Sequence, residues 1–252
     1  PPPGSPPPDD IAQRSRHLAR RLAALPAIEM RQATFLRYLD EHTAHEIVPI
    51  LAYIQRLGRK GGPPFDVAFL AVATALGNKC LSYAQLVELY GAAKEQGYDT
   101  LGQIFFSDAS LGPRATPLDR DEQRELTLGH RKTLARSTDR DVLHRLLIDP
   151  EVPVVRNLLE NPRLIERDVV LLAARRPTNP DIQRIIFASS RWIRRYAVKR
   201  ALVLNPYTPS DLALRLLGFF TASDLRLVQR SPNLPEIVRD AARHLDQERR
   251  PR

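Results

Sequence analysis

The sequence predicts an all-α protein in which an N-terminal helical bundle is followed by a short right-handed α-solenoid. Leu and Ala recur three and four residues apart along most of the 252-residue chain, which is the spacing of one helix face. Glycine is scarce, at 11 residues, and few stretches alternate apolar and polar residues as strands do. The second half also repeats a short residue pattern, which indicates stacked helical units.

The first half is expected to form a bundle of about five helices over residues 9–106, after a disordered proline-rich lead-in over residues 1–8. The first helix begins at Asp9, whose carboxylate suits a helix N-terminus, and ends before Pro26. The other helices are expected over residues 28–40, 44–57, 64–76 and 82–96. Ser82 is expected to cap the last of them, and Gly97 to end it.

A linker is expected over residues 107–119, because Ser, Gly and Pro are frequent in this stretch. It precedes an expected repeat domain over residues 120–246 and a basic tail over residues 247–252. A segment of this length can join two domains or connect helices within one body, and the sequence leaves both arrangements open.

The second half repeats a basic residue, a helix-ending residue six positions later, and an acidic residue at the start of the next helix. Arg156, Pro162 and Asp168 form one copy. The other copies are Lys132, Thr138 and Asp141; Arg200, Pro206 and Asp211; and Arg226, Pro232 and Glu236. The basic residues are 24, 44 and 26 positions apart, and the interval of 44 is interpreted as two units, the second beginning at Pro180.

Each element of the repeat has a physical reason. Proline ends a helix because it has no N–H and restricts the residue before it. An acidic side chain suits the start of the next helix, where backbone N–H groups lack partners and the helix dipole is positive. One such unit cannot bury its apolar face alone, so the repeat predicts several units stacked side by side.

Residues 149–173, DPEVPVVRNLLENPRLIERDVVLLA, carry the dipeptides Asp-Pro, Val-Arg and Asn-Pro at positions 149, 155 and 161. Over about residues 126–245 the chain resembles the leucine-rich repeat variant family, a relative of HEAT and armadillo repeats. The resemblance implies HEAT-like helical repeats and specifies no function. Some members of that family carry an iron–sulfur cluster on an N-terminal cysteine motif. This chain has a single cysteine, Cys80, so that role is not expected here.

A net charge of +9 and a pI near 10.1 favour anionic partners. Between Asp181 and Asp211 no acidic residue occurs, whereas six basic residues do: Arg184, Arg191, Arg194, Arg195, Lys199 and Arg200. On a helix, Arg191, Arg195 and Lys199 form one stripe, with Trp192 or Tyr196 available for stacking. Basic residues at equivalent repeat positions are expected to extend the stripe into a ladder: Lys132, Arg156 and Arg226.

A structural interpretation of the same residues stays open. Trp192, Ile193 and Tyr196 then belong to the core, and the arginines are solvated. The repeat arginines can also hold the loop of the next unit through its carboxylates or carbonyls. A solvated, Arg-rich surface of bacterial style equally accounts for the basic excess.

Three other motifs receive structural interpretations. His42 and His45 are three residues apart without the spacing of zinc enzymes, so no metal site is expected. The loop over residues 58–62 lacks the pattern of a phosphate-binding loop. Cys80 is expected to be a buried structural thiol, and a lone cysteine, which excludes an internal disulfide, suits a reducing cytoplasm.

These observations predict a cytoplasmic, non-enzymatic scaffold or interaction module without a cofactor, which binds an acidic protein surface or peptide. The alternative is a nucleic-acid-binding HEAT-like protein that holds the phosphate backbone, similar in fold to HEAT-like DNA glycosylases but without their catalytic constellation. A weaker alternative is contact of the first, arginine-rich helix with an anionic membrane surface. No membrane span is expected, because the longest apolar runs reach only about ten residues.

Overall fold

The computed structural model describes residues 8–58, 62–78, 80–105 and 126–248, and every regular element within these ranges is an α-helix. The N-terminal half contributes α1 (Asp9–Ala23), α2 (Ile28–Asp40), α3 (Ala44–Gly58), α4 (Phe65–Gly77), α5 (Tyr83–Glu95) and α6 (Asp99–Phe105). The C-terminal half contributes α7 (Leu128–Leu134), α8 (Arg140–Leu146), α9 (Val152–Glu160), α10 (Glu166–Ala174), α11 (Pro180–Ala188), α12 (Tyr196–Val203), α13 (Ser210–Leu217), α14 (Ala222–Gln229) and α15 (Glu236–Glu248). The predicted all-α class is confirmed.

The first five helices have bounds close to those predicted from the sequence. Ser82 caps α5 as expected, because its Oγ accepts a hydrogen bond from the Gln85 N–H at 3.2 Å while the Gln85 side chain accepts one from the Ser82 N–H. Gly97 adopts a φ of +75°, the left-handed conformation that commonly follows a helix. The short helix α6 was not predicted, since seven residues carry too little periodicity.

Several predicted segments lie outside the described residues. They are the linker at 107–119, residues 1–7 of the lead-in, residues 59–61 of the glycine-rich loop, and residues 249–252 of the tail. Helix α15 extends to Glu248, so the first two residues of the predicted tail are helical.

Helix α4 lies at the centre of the molecule because it is apolar on every side. Residues 68–76 are all buried, including Thr74, whose hydroxyl donates to the Leu70 carbonyl at 2.8 Å. A helix of this kind has no solvent face and needs neighbours all round. Helices α1, α2 and α3 pack on one side of it, and α11 and α13 on the other.

Two contacts between a glycine and a phenylalanine join the two halves. Phe187 of α11 packs over Gly77 at the end of α4, and Phe69 of α4 packs over Gly218 just after α13. A Cβ at either glycine would lie only 2.7 Å from the Cζ atom of the facing ring. The rings of Phe69 and Phe219 also pack together at a tilt of 38°, with 4.8 Å between their centroids. The N-terminal bundle is therefore seated closely against α11 and α13.

Helices α7 to α15 alternate between two layers. In the odd-numbered layer, α9 contacts α7 and α11, and α15 contacts α13. In the even-numbered layer, α12 contacts α10. Ion pairs continue both layers: Arg140–Asp168 joins α8 to α10 at 2.7 Å, Arg184–Asp211 joins α11 to α13 at 3.6 Å, and Arg200–Asp224 joins α12 to α14 at 2.9 Å.

The repeat register predicted from the sequence changes layer part-way along the chain. Lys132 and Arg156 lie on α7 and α9 of the odd layer, whereas Arg200 and Arg226 lie on α12 and α14 of the even layer. The interval of 44 residues spans three helices, α9 to α11, and not two helix pairs. Lys132, Arg156 and Arg226 therefore do not occupy equivalent positions of one layer, as the predicted ladder assumed.

Two asparagines show why the sequence pattern misses this change. Asn161, after α9, donates through Nδ2 to the carbonyls of Ala135 and Ser137 at 2.9 and 2.8 Å. Asn205, after α12, donates in the same way to two carbonyls at the end of α10, at 2.7 and 2.8 Å. Each side chain satisfies carbonyls at the end of the preceding helix in its own layer. The Asn-Pro pattern thus marks helix ends in both layers alike.

Candidate binding site at an arginine-lined depression

The basic stretch at 191–200 is not one helix. Helix α11 ends at Ala188, a turn covers residues 190–194, and α12 begins only at Tyr196. The turn is held by Trp192 and Ile193, which are both buried, and Trp192 Nε1 donates to the Leu159 carbonyl at 2.8 Å. Since the two apolar side chains point into the core, the predicted stripe of Arg191, Arg195 and Lys199 is broken at its first residue.

Arg191 holds the loop between α9 and α10. Its guanidinium donates to the carbonyls of Asn161, Pro162 and Leu164 at 3.1, 3.5 and 3.2 Å, and it lies 4.2 Å from the centre of the Trp192 ring. Trp192 is 3% exposed, so its ring belongs to the core and is not free to stack on a ligand. The structural interpretation of Trp192 as a core residue applies here, whereas Arg191, which is not one of the repeat arginines, holds a loop that precedes it in the chain.

Lys199 lies in the interior and not on the predicted surface. It is 7% exposed, and its Nζ lies 4.2 Å from the centre of the Phe219 ring. Burial lowers the pKa of Lys199 to about 8, against a smaller opposing effect of the Asp66 carboxylate.

Other basic residues of the stretch are neutralised by carboxylates distant in sequence. Asp211 pairs with Arg184 at 3.6 Å and with Arg215 at 2.7 Å. Arg200 Nε donates to Asp224 at 2.9 Å. Partial burial raises the pKa of Asp224, but the hydrogen bonds from Tyr196 and Arg200 outweigh it and hold this pKa below its usual range. The acid-free stretch in the sequence is therefore not an acid-free surface in the fold.

Lys132, Arg156 and Arg226 are exposed, and their side chains form no hydrogen bond or ion pair with another described residue. Lys132 and Arg156 lie on α7 and α9, which pack against each other, whereas Arg226 lies on α14 of the other layer.

Three arginines remain together at an open depression of about 480 Å³, which is lined by Ser190, Arg191, Arg194 and Arg195. Arg195 lies 3.7 Å from Glu166, and both side chains are well exposed, at 61% and 41%. A pair this long and this exposed is weak. Arg194 donates to the Pro26 carbonyl at 3.4 Å.

The N-terminal half adds a fourth guanidinium that the sequence did not single out. Arg31 on α2 donates to the carbonyls of Leu25 and Pro26 at 2.9 and 3.5 Å. Pro26 therefore accepts from both Arg31 and Arg194, and burial together with the charge of Arg194 lowers the pKa of Arg31. No local signal around Arg31 could have identified it, because Arg194, the residue that it approaches in the fold, is 163 positions away in the sequence.

An exposed apolar side chain lies beside the depression. Ile165 is 48% exposed and stands between Leu164, whose carbonyl binds Arg191, and Glu166, which pairs with Arg195. The site thus combines positive charge with one apolar contact.

Comparison with known proteins identifies no relative: no family model, no curated protein and no solved structure matches this chain. Within the described ranges, no group of three or more His, Cys, Asp or Glu side chains could hold a metal ion. None of the helices described is long and apolar enough to cross a membrane.

His42, His45 and Cys80, which the sequence analysis considered as possible functional residues, do not line the depression. His42 Nδ1 contacts the Tyr38 carbonyl at 2.9 Å, and its ring stacks on the Tyr38 ring. His45 Nε2 pairs with Glu95 at 2.8 Å. Cys80 is exposed, so the predicted burial of its thiol is wrong. The buried apolar helix α4 ends at Gly77, so Cys80 lies three residues beyond it and not on the helix.

Proposed function

We propose that this chain is a non-enzymatic protein-interaction module. Its C-terminal half is a short right-handed α-solenoid of HEAT-like helix pairs, and the arginine-lined depression beside α12 holds an acidic segment of a partner protein. The alternating layers of α7 to α15 and the asparagines that tie helix ends together support a repeat of this kind. The N-terminal bundle packs through α4 against α11 and α13 of the odd-numbered layer.

The observation that carries the proposal is the convergence of Arg191, Arg194 and Arg195 on one open depression. Among the described side chains, Glu166 supplies the one carboxylate that pairs with them, and it does so at 3.7 Å. An acidic segment would replace this weak contact with charge-assisted hydrogen bonds. Ile165 offers an apolar contact beside the charges, as protein interfaces commonly do.

The alternative of nucleic-acid binding is less favoured by the same geometry. Binding along a duplex needs cations spaced along many phosphates. Arg184, Lys199 and Arg200 are paired or buried, so they are not available for this purpose. Of the basic residues that the sequence singled out, Arg191, Arg194 and Arg195 lie together at one depression, whereas the exposed Lys132, Arg156 and Arg226 lie on other helices.

The test is fluorescence anisotropy with a labelled acidic probe, Gly-Glu-Glu-Ile-Glu-Glu-Gly, titrated with the whole chain. The site variant carries Arg194→Glu and Arg195→Glu, whose side chains are exposed and do not support the core. The control carries Arg37→Glu and Arg145→Glu, exposed residues on α2 and α8 that change the net charge equally. Circular dichroism verifies that each variant is folded.

We expect the site variant to bind at least about tenfold more weakly than the wild type, and the control to bind within about twofold of it. An equal loss in both variants, or no binding by the wild type, would contradict the proposal. Tighter binding of a random duplex DNA, with an affinity that falls steeply with salt, would favour the nucleic-acid alternative instead.

A further inference from the structure

We infer that the anionic group held in the depression is a phosphoryl group on a Ser, Thr or Tyr side chain of the partner. This inference rests on the proposed function and names the chemistry of the segment that binds. It depends on the guanidinium donors that lack acceptors, on the backbone around Arg195, and on the balance of charge at the site.

Most guanidinium donors at the depression have no acceptor in the described chain. A guanidinium has five N–H groups. Arg191 uses three of them on backbone carbonyls, and Arg194 uses one on Pro26. Arg195 approaches Glu166 only at 3.7 Å, which is beyond hydrogen-bond length. Several donors therefore remain available to one ligand.

Arg191 is held in place before any ligand arrives. Its three carbonyl contacts and the Trp192 ring fix the orientation of the guanidinium plane. A fixed donor loses little conformational entropy when a ligand binds. Planar guanidinium groups also match the geometry of phosphate oxygens.

Backbone donors lie next to these side chains. Arg195 is the residue immediately before α12. The N-terminus of α12 has no acidic residue in its first turn, and no side chain caps it with a hydrogen bond. The first helical bond of α12 runs from the Lys199 N–H to the Arg195 carbonyl, and the N–H groups of residues 196–198 have no hydrogen-bond partner among the described residues. Val198 is buried, so the N–H groups of residues 196 and 197 are the ones within reach of a ligand. These donors and the positive end of the helix dipole add to the attraction that the guanidinium groups exert.

The balance of charge favours a dianion over a carboxylate. Arg31, Arg191, Arg194 and Arg195 bring four guanidinium groups to this region, and Glu166 is the one carboxylate paired with them among the described residues. A glutamate side chain supplies one negative charge and two oxygens. A phosphoryl group supplies a charge of about −1.5 to −2 and three acceptor oxygens, so it satisfies more of the donors.

Three labelled peptides test the inference: Gly-Ile-Gly-X-Gly-Gly, in which X is phosphoserine, glutamate or serine. We expect the phosphoserine peptide to bind the wild-type chain at least about tenfold more tightly than the glutamate peptide, and the serine peptide to bind most weakly. The preference is expected to shrink below about pH 6, where the phosphoryl group takes up its second proton.

A variant at the start of α12 separates this site from general charge attraction. Ala197→Asp places a carboxylate in the first turn of α12, where it occupies the free N–H groups and suits the helix dipole. We expect this variant to remain folded and to lose the preference for phosphoserine over glutamate. The Arg37→Glu, Arg145→Glu control should keep that preference.

The outcomes distinguish the inference from the proposed function. Equal binding of the phosphoserine and glutamate peptides by the wild type overturns the inference and leaves the interaction module intact. An unchanged preference in Ala197→Asp also overturns the placement of the phosphoryl group. If neither these peptides nor the acidic probe binds, the proposed function fails as well.

Discussion

Replacement of Lys199 by methionine should stabilise the protein, because the folded state buries this ammonium group with little compensation. Its Nζ lies over the Phe219 ring and contacts the Arg194 carbonyl at 3.4 Å, and Asp66 on α4 is the carboxylate that offsets part of its burial. Burial lowers the pKa of Lys199 from 10.5 to about 8. At about 1.4 kcal/mol per pH unit, this difference corresponds to about 3 kcal/mol.

The direction of the pH effect follows from the two pKa values. In the unfolded chain Lys199 keeps its proton up to pH 10.5, whereas in the folded chain it loses the proton near pH 8. Between these values the unfolded state binds more protons, so the free energy of unfolding rises with pH. Below the lower value both states are protonated, and the folded state carries the full cost of the buried charge.

The assay is urea unfolding of the wild type and of Lys199→Met, followed by circular dichroism between about pH 7 and pH 10. Near neutral pH the variant is expected to be more stable by about 2 kcal/mol, which is the burial cost less about 1 kcal/mol for the lost contact with Phe219. The advantage should disappear towards pH 10. A variant that is less stable at pH 7, or an advantage that does not change with pH, would refute this account of Lys199.

Four further substitutions test the packing through the free energy of unfolding in urea. Asn205→Ala should cost about 1–3 kcal/mol, because two carbonyls at the end of α10 lose their donor. Arg191→Ala should cost about 2 kcal/mol, whereas Arg195→Ala should change stability by less than about 0.5 kcal/mol. Gly218→Ala should cost about 1–3 kcal/mol, since the new methyl group meets the ring of Phe69.

Matched substitutions serve as controls for these changes. Asn233→Ala removes an exposed asparagine, and Gly129→Ala adds a methyl group where the nearest atom is 3.9 Å away on an exposed helix. Neither should destabilise the protein, and Gly129→Ala should stabilise α7 by up to about 1 kcal/mol. Losses in the controls as large as those in Asn205→Ala or Gly218→Ala would contradict the packing roles assigned to these residues.

The sequence predicted the helices of the N-terminal half well because their signals are local. The bounds of α2 followed from apolar periodicity, and Ser82 and Gly97 marked the ends of α5 through capping geometry. The contacts of Gly77 and Gly218 with phenylalanines carry no such signal. They depend on pairs of residues far apart in sequence, which periodicity does not connect.

The candidate site was predicted only in part. The sequence identified the basic stretch, and Arg191, Arg194 and Arg195 do lie together at the depression. It placed Lys199 on the same surface because it assumed an unbroken helix, whereas the buried side chain of Trp192 requires a turn. Carboxylates that neutralise the other basic residues come from distant helices, and no local pattern reveals them.

Hydrogen–deuterium exchange of the whole chain, with and without the phosphoserine peptide, tests most directly whether the depression is where a partner binds. The expected result is slower exchange confined to the turn and first turn of α12, over residues 189–198, together with the segment around Pro26. Slower exchange on α5 or α14 with none at residues 189–198 would contradict the assignment of the binding site.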